Sequence, residues 1–152
     1  MDTGDTVPDF EATTDSGDTI TLSGLLADGP VVLFFYPKAD TAGCTAQACH
    51  FRDLGAEFEA AGAQRIGISA DSVKSQRRFR EKNDFDYPLI ADTSGEIARI
   101  FGTKRAGPLP PRRQTFVIDT DFTVLERIAS EVDMDVHADR ALAVLQAAKA
   151  TG

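Results

Sequence analysis

Six consecutive residues, Val31-Val32-Leu33-Phe34-Phe35-Tyr36, are all apolar or aromatic. A strand with one wet face alternates polar and apolar side chains, so an unbroken β-prone run describes a central strand buried on both faces. Other elements must then cover both sides of its sheet, which makes the chain α/β. With 152 residues, 42% of them hydrophobic, the chain can build that two-sided core as a single domain over 1–152, without a metal or disulfide staple.

The remaining pattern places the other elements. Residues 10–14 and 19–22 flank Asp15-Ser16-Gly17-Asp18 and read as an N-terminal β-hairpin. From residue 41 to about 61 the period becomes helical, with Cys44, Ala48, Phe51, Leu54 and Phe58 on one apolar stripe. A strand follows at 64–69, then a helix at 72–83 capped by Asp71 or Ser72. A short strand at 88–91 precedes a short helix at 94–101 that ends at Gly102. Gly107-Pro108-Leu109-Pro110-Pro111 must be a loop. It leads to strands at 115–118 and 123–129 and a last helix at about 136–150. This order predicts a thioredoxin-like α/β layer: a central mixed sheet flanked by helices, with the hairpin as an N-terminal extension.

The formal charge of −8 argues against nucleic acid or an anionic membrane as a partner. The one basic cluster, Arg77-Arg78 with Arg80 and Lys82, reads as a solvated helix face. No stretch has the length needed to span a bilayer. The opening Met1-Asp2-Thr3-Gly4-Asp5 lacks a basic start and an apolar run, so no signal peptide is expected and the compartment is expected to be cytoplasmic. In that compartment two cysteines are catalytic, metal-binding or inert rather than a permanent staple.

Those two cysteines, Cys44 and Cys49, sit just after the apolar strand at the start of the long helix. A thiol in a first helical turn faces unpaired backbone N–H groups and the positive end of the dipole, which favours thiolate. On one regular helix, five residues separate the two Cα atoms by about 8.7 Å. A disulfide needs them within about 7 Å. If the two react with each other, at least one turn must unwind. Thr41 has N-cap spacing to Cys44, so its hydroxyl can approach the Cys44 amide or sulfur. Pro37 ends the strand without a donor. A positive charge is missing locally; Arg113 can supply it from across the fold, with Arg112 as rival.

Pro37-x-x-x-Thr41-x-x-Cys44 resembles the P-x-x-x-[T/S]-x-x-C signature of the peroxiredoxins. Cys49 matches the C-x4-C spacing of their bacterioferritin-comigratory, or PrxQ, branch. Val7-Pro8-Asp9-Phe10 is similar to the family's opening, and Arg113-Gln114-Thr115-Phe116-Val117-Ile118-Asp119 to its R-x-x-F-x-I-D strand. The resemblance implies a thiol peroxidase acting on hydrogen peroxide and organic hydroperoxides without a cofactor or metal. Cys44 would be peroxidatic and Cys49 resolving, through an intramolecular Cys44–Cys49 disulfide. Thr41 would hydrogen-bond the peroxide and thiolate, and Arg113 would hold the thiolate and polarise the peroxide. Pro37 would shield the pocket, the Gly43 amide would donate into it, and Gln47 would orient Arg113. Thioredoxin or a glutaredoxin-like dithiol would be the reductant, and a monomer would suffice. Ala42 stands where the family often has proline, His50 is outside the pattern, and Pro108–Pro111 replaces a stretch that often carries tyrosine and lysine.

Two other readings share these residues. A thioredoxin-type thiol–disulfide oxidoreductase would use the same fold, but its usual C-x-x-C bridges without unwinding a helix. A zinc site through Cys44, Cys49 and His50 would need a further ligand, and the only other histidine is the distant His137.

Overall fold

In the computed structural model, which describes residues 1–151, the apolar run becomes a strand with every residue buried. The elements are β1 (Glu11–Thr13), β2 (Thr19–Thr21), α1 (Leu22–Leu26), β3 (Val31–Phe35), α2 (Ala42–Asp53), α3 (Gly55–Ala60), β4 (Gln64–Ser69), α4 (Val73–Asn83), β5 (Leu89–Ala91), α5 (Glu96–Phe101), β6 (Gln114–Ile118), β7 (Val124–Ala129) and α6 (Asp135–Thr151). The main sheet has the order β5-β4-β3-β6-β7. The β3–β4 and β4–β5 pairs are parallel, and β3–β6 and β6–β7 are antiparallel. The sheet is therefore mixed and centred on β3, the thioredoxin-like arrangement expected.

Strand periodicity divides β3 between two cores. Val32 and Phe34, with Tyr36 just beyond, face a core closed by α2, α3, α4 and α6. Val31, Leu33 and Phe35 face another, closed by α1 and α5. Phe34 stacks on Phe51 of α2 with centroids 4.1 Å apart, so the central strand grips the cysteine-bearing helix directly. The neighbouring strand makes room with Gly67: a Cβ there would come within 2.9 Å of the Phe34 ring and 2.8 Å of Leu89.

The hairpin forms a separate two-stranded sheet that covers the β5 edge. Asp15 is its rivet. Its amide donates to the Leu89 carbonyl at 2.8 Å, and its buried carboxylate accepts from the Leu89 amide and from Arg80. Arg77 donates to the Asp15 carbonyl at 2.9 Å. Two members of the basic cluster read as a solvated face thus hold the hairpin down, a tertiary use that local spacing does not reveal.

Two helical boundaries also differ from expectation. Leu22 leaves the hairpin and begins α1, because the Thr21 side chain caps it by accepting from the Gly24 amide. The helix expected to run to about residue 61 breaks at Leu54, which has φ −93° and ψ 17°. Arg65 explains the break: its guanidinium donates to the Phe51 carbonyl at 2.8 Å and forks onto Asp86. A side chain has entered the ladder where Gly55 would otherwise bond.

Replacing Phe51 with alanine would remove the stack on Phe34 and leave a cavity under α2. The expected cost is about 3–5 kcal/mol, read as a lower urea midpoint with an unchanged slope.

Candidate active site

Cys44 lies at the third position of α2, and its side chain is 1% exposed. The loop that delivers it is pinned from the sheet: Ala39 donates to the Asp71 carboxylate at 2.8 Å, and Ser69 donates to the same oxygen at 2.6 Å. Ser72, rather than Asp71, caps α4 by accepting from Ser75, which leaves Asp71 for this task. Among the described residues, the amides of Ala42, Gly43 and Cys44 have no protein acceptor. They are free donors in the first turn of the helix that carries Cys44.

The missing positive charge arrives from the residue just before β6. Arg113 is 7% exposed, and its Nη2 donates to Cys44 Sγ at 3.4 Å. Its Nη1 donates to Gln47 Oε1, one turn along α2 and fully buried. Arg112 is exposed, and of the two arginines it is Arg113 that reaches Cys44. Among the described residues, two buried donors near this contact, Gln47 Nε2 and Arg113 Nε, have no acceptor. A guanidinium on the sulfur also occupies the place a metal cation would need, and its charge opposes one.

Gly43 eases this approach. A Cβ on it would stand 3.3 Å from Arg113 Nη2 and 3.5 Å from Met134 Sδ. Pro37 is half-buried in the bend after β3. Thr41 occupies the N-cap, but its hydroxyl makes no cap bond; it donates to the Lys38 carbonyl at 2.8 Å. The expected approach of that hydroxyl to the Cys44 amide is therefore replaced by a turn inside the loop. Its proton committed, the oxygen keeps lone pairs for an incoming donor.

Cys49 is half-buried on the same unbroken helix, 3.9 Å from Asn83 Oδ1, and both cysteines are free thiols. His50 pairs with Asp139 of α6 at 2.7 Å, so it ties helices together rather than joining a ligand set with the cysteines. Among the described residues, no group of three or more His, Cys, Asp or Glu is placed to hold a metal ion, and no helix is long and apolar enough to cross a membrane. The 107–111 loop overlies a cavity of about 140 Å³ lined by Phe35, Ile68, Lys104 and Leu109, on the opposite side of the sheet from Cys44.

Three contributors were not legible in the chain. Met134 stands over Gly43. Glu131 accepts from the Arg113 backbone amide at 2.8 Å. His137, fully buried, lies 2.8 Å from Thr115 Oγ1 and 2.9 Å from the Ser130 carbonyl. Burial pushes the His137 pKa below its ordinary 6.5; the Ser130 carbonyl opposes this, the Arg113 charge adds to it, and Glu131 and Asp133 oppose it.

Comparison with known proteins gives a consistent picture. Residues 3–127 match the AhpC/TSA family. The chain is 57% identical over 150 residues to a peroxiredoxin of Mycobacterium tuberculosis, with 97% of each covered. The crystal structure of peroxidoxin BcpB from Mycobacterium tuberculosis matches with a TM-score of 0.94 at 56% identity, over 97% of each chain. Peroxiredoxin Q of Xanthomonas campestris matches with a TM-score of 0.84 at 33% identity, over 91% of this chain and 90% of the other.

Gln47→Glu would give Arg113 a competing carboxylate. Alkylation of Cys44 by iodoacetamide at neutral pH is expected to slow about tenfold, measured by peptide mass spectrometry. His137 sets a pH window for stability. The unfolded ring takes up a proton near pH 6.5, whereas the folded ring resists until lower pH. Its contribution is full above about pH 6.5 and is lost as pH falls below it. The thermal midpoint of His137→Gln should fall less steeply on the acid side than that of the wild type.

Proposed function

The chain belongs to the AhpC/TSA family and is a peroxiredoxin of the BCP/PrxQ type, and on that premise we propose that Cys44 attacks the peroxide and Cys49 resolves the product. The observation that carries this reading is the buried Arg113 guanidinium 3.4 Å from Cys44 Sγ at the first turn of α2. A cation and free helical amides stabilise a thiolate there, and the thiolate is the nucleophile.

The family acts on peroxides with electrons from a thiol reductant. In this chain the Cys44 thiolate attacks one peroxide oxygen and the O–O bond breaks. The sulfur gains that oxygen as sulfenic acid, and the other oxygen leaves as water or alcohol after taking a proton. Negative charge spreads over sulfur and both oxygens at the transition state. Arg113 and the Gly43 and Cys44 amides are the fixed donors that meet it. Thr41, its own proton held by Lys38, accepts a hydrogen bond from the peroxide. Gln47 orients Arg113 through Nη1, and Pro37 walls the loop. Hydrogen peroxide and organic hydroperoxides are the substrates.

Cys49 then attacks the Cys44 sulfenic acid, forming the disulfide and releasing water. With both cysteines on an intact α2, about 8.7 Å separates their Cα atoms, beyond the span of about 7 Å. The step therefore requires α2 to unwind locally. Thioredoxin or a glutaredoxin-like dithiol reverses it by thiol–disulfide exchange. Resolution within one chain of one domain needs no partner subunit, so the cycle suits a cytoplasmic monomer.

One equivalent of hydrogen peroxide added to the reduced protein should remove two hydrogens and leave a Cys44–Cys49 bridge, mapped by mass spectrometry. Loss of helical circular dichroism should accompany it. Cys44→Ser should abolish turnover, and Cys49→Ser should permit a single stoichiometric oxidation of Cys44. Multiple turnovers by Cys44→Ser would remove its role, and insulin reduction without peroxide consumption would favour the thioredoxin-type reading.

A further inference from the structure

His137 is a buried titratable group that the proposed cycle does not use, yet it touches the frame that aims Arg113. The Ser130 carbonyl can only accept, so the nitrogen 2.9 Å away, Nε2, carries the hydrogen. In the neutral ring Nδ1 is then an acceptor, and the Thr115 hydroxyl at 2.8 Å donates to it. Thr115 lies in β6, two residues beyond Arg113, which directly precedes the strand. Ser130 directly precedes Glu131, whose carboxylate accepts the Arg113 amide. The imidazole thus clamps β6, the strand that Arg113 leads into, to the turn that holds Arg113 by its backbone.

We propose that His137 is a positioning residue for the reactive thiol: bridging Thr115 and Ser130, it fixes the Ser130–Glu131 turn and so sets the aim of the Arg113 guanidinium at Cys44. The proposal rests on Cys44 being the reactive sulfur. The charged groups facing the ring are Arg113, just before β6, and Glu131 and Asp133 in the turn before α6. Burial first, and the Arg113 charge after it, disfavour a charged imidazole against the pull of the Ser130 carbonyl and the two carboxylates, which fits a residue that serves as a neutral clamp.

The variants separate clamping from packing. His137→Gln places an amide donor where Nε2 stood and keeps the bond to Ser130. His137→Asn reaches only the Thr115 side. Glu131→Ala removes the acceptor of the Arg113 amide from an exposed position, so it folds even if a histidine variant does not. Two readouts are taken on each: Cys44 alkylation by iodoacetamide across pH, and single-turnover oxidation by hydrogen peroxide. His137→Asn and Glu131→Ala should each slow both reactions about tenfold or more, as expected for a misplaced catalytic group. The alkylation profile should move to higher pH, and His137→Gln should recover most of the rate. The double variant His137→Asn/Glu131→Ala should be no slower than its slower parent, because both act through one frame. Wild-type rates in Glu131→Ala, additive effects, or equal losses in the two histidine variants with an unmoved pH profile would overturn the proposal. A wild-type protein that fails to consume peroxide would instead overturn the proposed cycle, and alkylation would still decide the role of His137.

Discussion

The contact between Arg113 and Cys44 organises this molecule around itself. A guanidinium is costly to bury, and it is retained only where its donors find partners. Here one nitrogen meets Cys44 and another meets Gln47, so both partners come from the first turns of α2. The contact therefore requires α2 to start where it does and to lie flat on the sheet. Phe34 and Phe51 secure the second condition by stacking, and Asp71 secures the first by holding Ala39 in the preceding loop. Gly43 completes the arrangement, since a larger residue would press on the same guanidinium.

The same residues pull in two directions. Burial of Cys44 and a continuous α2 hold the sulfur under Arg113, while the proposed disulfide demands that the helix open. Several contacts oppose opening: the Phe51 stack, the Tyr87 hydroxyl on the Ala48 carbonyl at 2.7 Å, and the pair between His50 and Asp139. Among the described residues, the amide nitrogen of Gln47 and Nε of Arg113 lack acceptors, a cost borne by the closed form. In the proposed cycle, the closed form binds and oxidises, and the open form bridges.

How much of this was legible follows from the range of each interaction. The central strand declares itself through an unbroken apolar run and the cysteine-bearing helix through its period, and the strand at Gln64–Ser69 is equally local in its signal. Arg113 was visible as one of two adjacent arginines, and choosing between them needed their tertiary placement. Gln47 was an ordinary helix residue until Arg113 arrived from the segment before β6. Glu131, Met134 and His137 belong to a turn and a helix start whose local pattern carries no trace of the site; only tertiary placement gives them a part. Thr41 marked the N-cap correctly, but the direction of its hydroxyl was a rotamer choice that spacing cannot encode. The break at Leu54 was hidden for a similar reason, because the agent is Arg65, eleven residues further along.

That break bears on the size of the cooperative unit. Protein segments open as contiguous foldons, and a helix normally transmits fraying to whatever continues it. Arg65 caps the Phe51 carbonyl and is itself anchored on Asp86. The carbonyl that would have coupled α2 to α3 is held from the sheet instead. A transition starting at Cys44 therefore meets a terminus with its own anchorage at Leu54. Phe58 remains in the core, and β4 keeps its pairing. In the proposed cycle, the twelve residues of α2 open as a module and leave the scaffold that re-forms the pocket standing.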